Sequence, residues 1–295
     1  MAIQNHIINA KDNTITTNAA RAGKIGRMLI QQGKISTDDA EKVIRAQEKL
    51  GLQFGDAAVQ LGLITQADVL QVLALQFNYP YLQPGQGNYS EELVAAYQPF
   101  SQQVEALRAL RSQLMMRWFN ETNKSLAVVT ANAGEGGSYL ASNLAVMFSQ
   151  LGERTLLIDA NMRNPRQHII FNLKENRGLS DILAGRAGLD VVSKIEYFQD
   201  LSVVGAGTIP PNPQELLNRA SFSYFMNQAA NQYDIVIVDT APATASADAQ
   251  ATVARSGGAL LVSRLNHTRL ADITEVRNQI AVTGASVVGA VINDF

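Results

Sequence analysis

The sequence predicts an α/β protein with a doubly wound, mainly parallel sheet, preceded by a small all-helical repeat domain. Two observations predict this class. Short apolar runs typical of buried strands alternate with helical stretches over residues 103–295, and such alternation favours parallel strands joined by crossover helices. Residues 21–82 carry a pattern that recurs at a 29-residue offset, which indicates one structural unit used twice.

The composition is that of an ordinary globular protein. A chain of 295 residues with 46% hydrophobic residues suits two domains with real cores. The net charge of −2 argues against broad electrostatic binding to nucleic acid, and the absence of cysteine excludes disulfides and thiolate metal sites. No apolar run approaches the roughly 18–20 residues of a membrane span, and no signal peptide is recognisable, so we expect a soluble cytoplasmic protein. Residues 1–20 are expected to form a disordered tail.

The N-terminal repeat predicts two helix pairs. In each copy a helix ends at a glycine, Gly33 or Gly62, and the next helix begins at an N-cap, Ser36 or Thr65. Each N-cap is followed three residues later by an aspartate, which is close to a capping box. The domain is therefore expected to be entirely helical.

This tandem pattern resembles the N-terminal domain of secretion and pilus-assembly ATPases (the MshEN type), in which it binds cyclic di-GMP. The leading arginine of that family's pattern is Lys24 in one copy and Gln53 in the other, and neither side chain both stacks and pairs bidentately as arginine does. Cyclic di-GMP binding and a docking domain without a dinucleotide therefore stay open as two interpretations. The positions that the resemblance implicates are Lys24, Gly26, Leu29, Gly33 and Gln47 in the first copy and Gln53, Gly55, Gly62 and Gln76 in the second.

A linker and a charged helix are predicted next. Residues 83–102 combine proline and glycine with polar neighbours, which is typical of a linker. Residues 105–119 follow as an amphipathic helix, on which Glu105, Arg108 and Arg111 form an E-x-x-R-x-x-R pattern along one face. That spacing alone is also compatible with a charged helix face that is exposed to solvent and has no specific partner.

A phosphate-binding loop is predicted between a strand at 126–129 and a helix at 139–151. The order strand, glycine turn, helix presents backbone N–H groups and a helix N-terminus to an anion. In the pattern G-x-x-x-x-G-K-[ST], Gly136 and Ser138 occupy the second glycine and the hydroxyl position, but Gly137 stands where a lysine is required. The predicted nucleotide-binding residues of the loop are Gly134, Glu135, Gly136, Gly137, Ser138 and Tyr139.

Two further apolar strands end in a carboxylate, Asp159 after 155–158 and Asp239 after 235–238. Ligands of open α/β sheets bind at the carboxyl ends of the strands, where such carboxylates can hold magnesium-bound water. We therefore expect both to converge on the loop. Further strands are predicted over 259–262 and 286–292, and further helices over about 214–231, 246–255 and 269–283.

Residues 100–295 resemble the bacterial tyrosine kinases (BY-kinases) of exopolysaccharide synthesis. The resemblance is carried by the E-x-x-R-x-x-R helix, the loop, the run Asp159-Ala160-Asn161-Met162-Arg163 and the proline-rich segment 205–217. It implies phosphotransfer from ATP with Mg²⁺, and ADP as the product. It also implies ring assembly through Glu105, Arg108 and Arg111, and a membrane chain-length-determinant partner that recruits the chain to the inner membrane face.

The resemblance also implies roles at the nucleotide site. The catalytic residues would be Asp159, Asn161 and Asp239, the magnesium residues Ser138, Asp159 and Asp239, and an adenine contact Asn293.

The chain departs from the BY-kinase pattern at three places. Gly137 replaces the lysine, Asn161 replaces the second aspartate of D-x-D-x-R, and no tyrosine follows Tyr233 where the family has a C-terminal cluster. Three functions stay open: a tyrosine kinase, a nucleotide-sensing scaffold that regulates polymer export without phosphotransfer, and a partitioning ATPase. The last is disfavoured because its additional lysine would stand at Asn132.

Overall fold

The chain folds into two compact units that divide after Tyr79. The computed structural model describes residues 23–76, 81–82 and 85–295. The predicted tail at 1–20 lies outside these residues, as do positions 83–84 of the predicted linker. Among the described residues, no helix is both long and apolar enough to cross a bilayer.

The N-terminal unit consists of four helices in two pairs: α1 (Gly23–Gln31), α2 (Thr37–Leu50), α3 (Phe54–Gln60) and α4 (Gln66–Gln76). Gly33 and Gly62 follow α1 and α3 with φ of 68° and 67°, a left-handed conformation that glycine adopts without steric cost. The side chain of Ser36 accepts a hydrogen bond from the backbone N–H of the aspartate three residues on at 3.1 Å, and Thr65 does the same at 3.2 Å. The all-helical character of this unit and the caps at Ser36 and Thr65 therefore agree with the prediction.

The core of this unit is built from all four helices, with Leu29, Val43 and Val72 fully buried. Gly55 is also buried, and a Cβ at that position would lie 2.7 Å from Val69 Cγ1. The glycine therefore lets α3 approach α4 closely.

The second unit is built on a seven-stranded sheet with the order β3-β4-β2-β5-β1-β6-β7. The strands are β1 (Ser125–Thr130), β2 (Thr155–Asp159), β3 (Ser193–Lys194), β4 (Leu201–Val204), β5 (Ile235–Asp239), β6 (Gly258–Arg264) and β7 (Ser286–Asn293). Every neighbouring pair is parallel except β3–β4. The predicted doubly wound sheet is confirmed, while β3 and β4 were not predicted because such short runs show no clear period.

The helices of this unit are α5 (Val94–Tyr97), α6 (Gln102–Arg117), α7 (Gly137–Ser149), α8 (Gln167–Ile170), α9 (Leu179–Leu183), α10 (Pro213–Leu217), α11 (Ala220–Gln232), α12 (Asp248–Ser256) and α13 (Leu270–Val282). The prediction of a single helix over 214–231 is wrong, because this stretch forms two helices, α10 and α11. Arg219 between them has an extended backbone (φ −69°, ψ 152°) and cannot continue a helix.

Helices cover both faces of the sheet. Alternate residues of β1, such as Leu126 and Val128, pack with α5, α6 and α7 on one face. The residues between them, such as Ala127 and Val129, pack with α12 and α13 on the other face. Because successive side chains of a strand point to opposite faces, uninterrupted apolar strands are what a sheet covered on both faces requires.

Residues 85–102 of the stretch predicted as a linker contribute to the core of this second unit. Leu93, Ala95 and Ala96 are fully buried. The backbone N–H of Ala95 donates to the Asn143 side chain at 2.9 Å, and its carbonyl accepts from Gln150 at 3.0 Å. The linker interpretation is therefore corrected: apolar residues between the glycines and prolines dock this segment on α7.

Close packing at the start of β6 provides a test of the fold. A Cβ at Gly258 would lie within 2.7 Å of three ring atoms of Trp118, whose Nε1 donates to Ser125 O at 3.0 Å. We expect Gly258→Ala to displace the ring and to lower the free energy of unfolding by about 1–3 kcal/mol. Denaturant unfolding followed by fluorescence reports both effects, because Trp118 is the only tryptophan.

Gly289→Ala on the neighbouring strand is the matched control. Its Cβ would meet Leu260 Cδ1 at 3.7 Å, an ordinary contact. Equal stability changes in the two variants would contradict the packing argument.

Candidate functional site

The predicted phosphate-binding loop has the backbone that such a loop needs. Gly134 and Gly136 are left-handed, with φ of 79° and 87°, and Gly136 precedes the first turn of α7. A Cβ at Gly136 would overlap the side-chain amide of Asn293, which donates to Glu135 O at 2.9 Å. Asn293, predicted as an adenine contact, thus holds the loop through its side chain.

The side chain of Glu135 is turned away from the cavity. It is fully buried and accepts hydrogen bonds from Asn132 N at 3.0 Å and from Thr268 Oγ1 at 2.7 Å. Glu135 was predicted to bind nucleotide. Its carboxylate is instead used in hydrogen bonds that hold the loop in place, so only its backbone is left for a ligand.

The position of the missing lysine lies against Thr130 of the strand beneath it. A Cβ at Gly137 would lie 2.9 Å from Thr130 Cγ2, at the end of β1. That separation is shorter than ordinary carbon–carbon contacts, so a side chain at 137 requires Thr130 to rotate. Thr130 therefore occupies part of the path that a lysine would take.

Two carboxylates meet below the loop, because the register of β2 with β5 places Asp159 opposite Asp239. Both are buried. Asp159 accepts three backbone hydrogen bonds, from Asn161 N at 3.2 Å, Arg166 N at 3.0 Å and Gln167 N at 2.9 Å. Its oxygens are therefore largely committed to holding the segment that follows β2.

Asp239 is less completely satisfied. Its Oδ2 accepts from Gln167 Nε2 at 2.8 Å, and the same amide reaches Ser138 O at 3.2 Å. Its Oδ1 is buried without a hydrogen-bond partner among the described residues. A buried carboxylate oxygen is costly to leave unsatisfied, and an oxygen in this position suits a hard cation.

The environment raises the pKa of both carboxyl groups. Burial raises the pKa of Asp239 to about 6, and the Gln167 amide, the Ser138 hydroxyl and the Arg166 charge oppose that rise. Burial and the neighbouring Asp239 charge raise the pKa of Asp159 well above its usual range, against its three backbone donors. Two adjacent buried carboxylates favour bound protons or a bound cation.

A cavity of about 1190 Å³ is lined by the loop, Tyr139, Asn161, Arg163, Arg166 and the residue that follows Asp239, Thr240, among others. Asn161 is buried, and its Oδ1 accepts from Asn164 N at 3.2 Å. The described residues contain no cluster of three or more histidine, cysteine or acidic side chains suited to a metal. Any magnesium site here would therefore combine carboxylate oxygens with the Ser138 hydroxyl and phosphate oxygens.

The three residues predicted for oligomerisation are engaged within the chain. Arg108 pairs with Glu105 and donates to Pro99 O at 2.7 Å. Arg111 donates to Met147 O at 2.8 Å, and burial, followed by the Arg108 charge, lowers its pKa. Glu105 remains 63% exposed and keeps an accessible carboxylate.

The positions predicted for cyclic di-GMP lie in the N-terminal unit, described by itself. Lys24 and Gln53 are exposed at equivalent places in α1 and just before α3, whereas Gly26, Leu29 and Gly55 are buried. Gly33 and Gly62 end their helices, and Gln47 and Gln76 are half-buried. Gln76 Oε1 is buried without a hydrogen-bond partner among the described residues.

Comparison with known proteins identifies the family of the second unit. The family model of the cellulose biosynthesis protein BcsQ matches residues 123–283. The putative tyrosine-protein kinase CapB of Staphylococcus aureus is 33% identical over 195 residues, which make up 66% of this chain and 86% of CapB. The chain belongs to the family of bacterial tyrosine kinases.

Two further similarities define the extent of this relation. A putative tyrosine-protein kinase in the cps region of Klebsiella pneumoniae is 33% identical over 201 residues, although the chain spans only 28% of its length. The crystal structure of the chimerical protein CapA2B2 superposes with a TM-score of 0.65 at 32% identity, covering 76% of this chain and 97% of that one.

Several residues of this kinase-family site were missed by sequence reasoning. Gln167 bridges Ser138 O and Asp239, Thr130 lies under the loop, and Glu92 and Arg166 form an ion pair at the cavity wall. Only Gln167 and Arg166 carried a signal, since they follow the carboxyl end of β2. Glu92 carried none, because it lies in the stretch predicted as linker.

The raised pKa of Asp239 predicts a pH-dependent stability. Its value of about 6 exceeds the reference value of 3.8, so the native state binds more protons, and stability falls as pH rises from about 4 to 6. Asp239→Asn removes that loss. We expect this variant to be more stable than the wild type at pH 7.5 by up to about 3 kcal/mol. The difference in the free energy of unfolding should become smaller towards pH 4.5. Denaturant unfolding without nucleotide or magnesium measures it.

Asp234→Asn at the start of the same strand is the matched control. Arg154 lowers the pKa of Asp234, so its carboxylate contributes stability above the unfolded pKa, and that contribution is lost as pH falls below it. This variant should be less stable than the wild type at neutral pH. A pH-independent effect of Asp239→Asn would show that the buried carboxylate does not titrate as described.

Proposed function

We propose that this chain binds a magnesium-bound adenine nucleotide and acts as a kinase-like regulator of exopolysaccharide polymerisation or export, with impaired phosphotransfer. The observation that carries the proposal is the buried, unpartnered Oδ1 of Asp239 beneath a glycine loop at the N-terminus of α7. This arrangement combines a cation ligand with an anion-binding turn.

The residues present fit magnesium and a nucleotide. Asp239 and the Ser138 hydroxyl would hold the metal, and Asp159 would support it while bound to its three backbone donors. Bound magnesium would neutralise phosphate charge. The loop N–H groups from 134–138 would bind the phosphates, and the 1190 Å³ cavity has room for the rest of a nucleotide.

Impaired phosphotransfer follows from the cation that is missing. Phosphoryl transfer depends mainly on positioning and electrostatic stabilisation. Loss of one preorganised donor typically costs about 3–4 kcal/mol, or about 10²–10³ in rate. Gly137 removes that donor, and Asn161 offers an amide where the family has a carboxylate, so neither residue supplies charge or a base.

The exopolysaccharide assignment rests on the relatives. One is named for a cps region, and the matching family model is named for cellulose biosynthesis. A membrane chain-length-determinant protein as partner, ring assembly through Glu105, Arg108 and Arg111, and recruitment to the inner membrane face belong to the same proposal. A fully active tyrosine kinase is the alternative, and the lysine position distinguishes the two.

Restoring the lysine tests the proposal. Gly137→Lys alone meets Thr130 Cγ2, whereas adding Thr130→Ser removes that methyl group and keeps the hydroxyl. We expect the wild type to bind Mg-ADP but to form little phosphotyrosine from Mg-ATP with a tyrosine-containing acceptor peptide. The double variant should raise labelling by about 10²-fold or more, measured with phosphotyrosine antibody alongside nucleotide titration.

Thr130→Ser alone is the control and should label like the wild type. Strong labelling by the wild type would support the active-kinase alternative. Failure of the wild type to bind Mg-ADP would refute nucleotide binding itself.

A second proposal concerns the N-terminal repeat, which we propose binds cyclic di-GMP. It is supported by the equivalent exposed positions of Lys24 and Gln53 and by the unpartnered Gln76 Oε1. Calorimetric titration of the full chain should show binding that weakens in Lys24→Ala and in Gln53→Ala. Arg45→Ala, on the exposed face of α2, is the control. No heat at high micromolar ligand would favour a docking domain instead.

A further inference from the structure

The cavity lacks a lysine, but it contains two arginines that could supply positive charge. Among the described residues that line it, the cationic side chains are those of Arg163 and Arg166. Each is paired with a carboxylate, so either must give up a partner before it can bind phosphate. The cost of that exchange differs between them.

Arg163 is held firmly. It contacts Asp248 through two hydrogen bonds, at 2.6 and 3.2 Å, and the Asp248 side chain is only 1% exposed. Moving Arg163 away would leave a buried carboxylate unpaired, which is strongly unfavourable. This arginine is therefore structural.

Arg166 is held weakly. Its guanidinium contacts Glu92 at 2.6 Å, and the two side chains are 44% and 42% exposed. Ion pairs this exposed contribute little to stability, because water solvates both charges well when they separate. A phosphate group, with more charge and a geometry suited to the guanidinium fork, is a stronger partner than a solvated glutamate.

The backbone of Arg166 is fixed beside the site. Its N–H donates to Asp159 Oδ2 at 3.0 Å, and the adjacent Gln167 reaches both Ser138 O and Asp239. The backbone of Arg166 is thus anchored at Asp159, whereas its guanidinium is partly exposed and contacts only Glu92 among the hydrogen bonds described. Burial is the main influence on Asp239, but the Arg166 charge also acts on that carboxyl group.

We propose that Arg166 exchanges Glu92 for the nucleotide phosphates and supplies the cation that Gly137 lacks, an assignment that rests on the nucleotide binding proposed above. Glu92 then acts as a competing anion that holds the arginine while the site is empty. The exchange involves no covalent step. It couples the segment that carries Glu92, just before α5, to occupancy of the nucleotide site.

The exchange is tested on the full chain by measuring the affinity for Mg-ADP of two single variants and of the variant that combines them. Arg166→Gln should weaken binding about 10- to 100-fold, as expected for loss of a charge-assisted contact. Glu92→Gln should strengthen binding about two- to fivefold, because the competing anion is removed. The double variant should bind like Arg166→Gln, and Arg166→Lys should retain part of the affinity.

Arg154→Gln is the matched control, because it breaks an ion pair with Asp234 that is far from the proposed site. The pair lies at the amino-terminal ends of β2 and β5, whereas Asp159 and Asp239 lie at their carboxyl ends. It should leave Mg-ADP affinity unchanged. If Arg166→Gln binds like the wild type, or if Glu92→Gln weakens binding as Arg166→Gln does, the pair is only structural and the assignment is wrong. Wild-type protein that does not bind Mg-ADP would overturn the nucleotide proposal as well.

Discussion

Two carboxylates buried side by side at the ends of β2 and β5 impose the main constraint on this structure. Asp159 and Asp239 are opposite each other in the sheet register, and burial opposes the charge of both. The backbone after β2 turns so that three of its N–H groups serve Asp159. That turn also places Gln167 between Asp239 and the first turn of α7.

The phosphate loop depends on this arrangement, but it has lost its own charge. Gly137 leaves the loop without a lysine, and Thr130 lies directly against that position. Positive charge in the cavity comes instead from side chains of the segment that follows β2. The cavity therefore combines a glycine loop without a lysine and two arginines supplied by the segment that follows β2.

Much of the fold followed directly from pattern. Uninterrupted apolar runs indicated strands buried on both faces, and the 29-residue repeat indicated the helix pairs. Sequence reasoning failed where local pattern and packing disagree. The segment around Leu93 resembles a linker because glycines and prolines flank it, yet its few apolar residues dock on α7. Likewise, the helix predicted over 214–231 is interrupted at Arg219 by backbone geometry that its composition does not reveal.

The sequence by itself determined the sheet class, the positions of the loop and both carboxylates, and the absence of a lysine at Gly137. These features are local, since strand periodicity and the order of residues around a turn depend only on neighbours in the chain. Only the tertiary structure decided that Glu135 faces inward, that Thr130 fills the space beside Gly137, and that Glu92 restrains Arg166. Glu92 and Arg166 are 74 positions apart, and such a contact arises only when segments distant in the chain pack together.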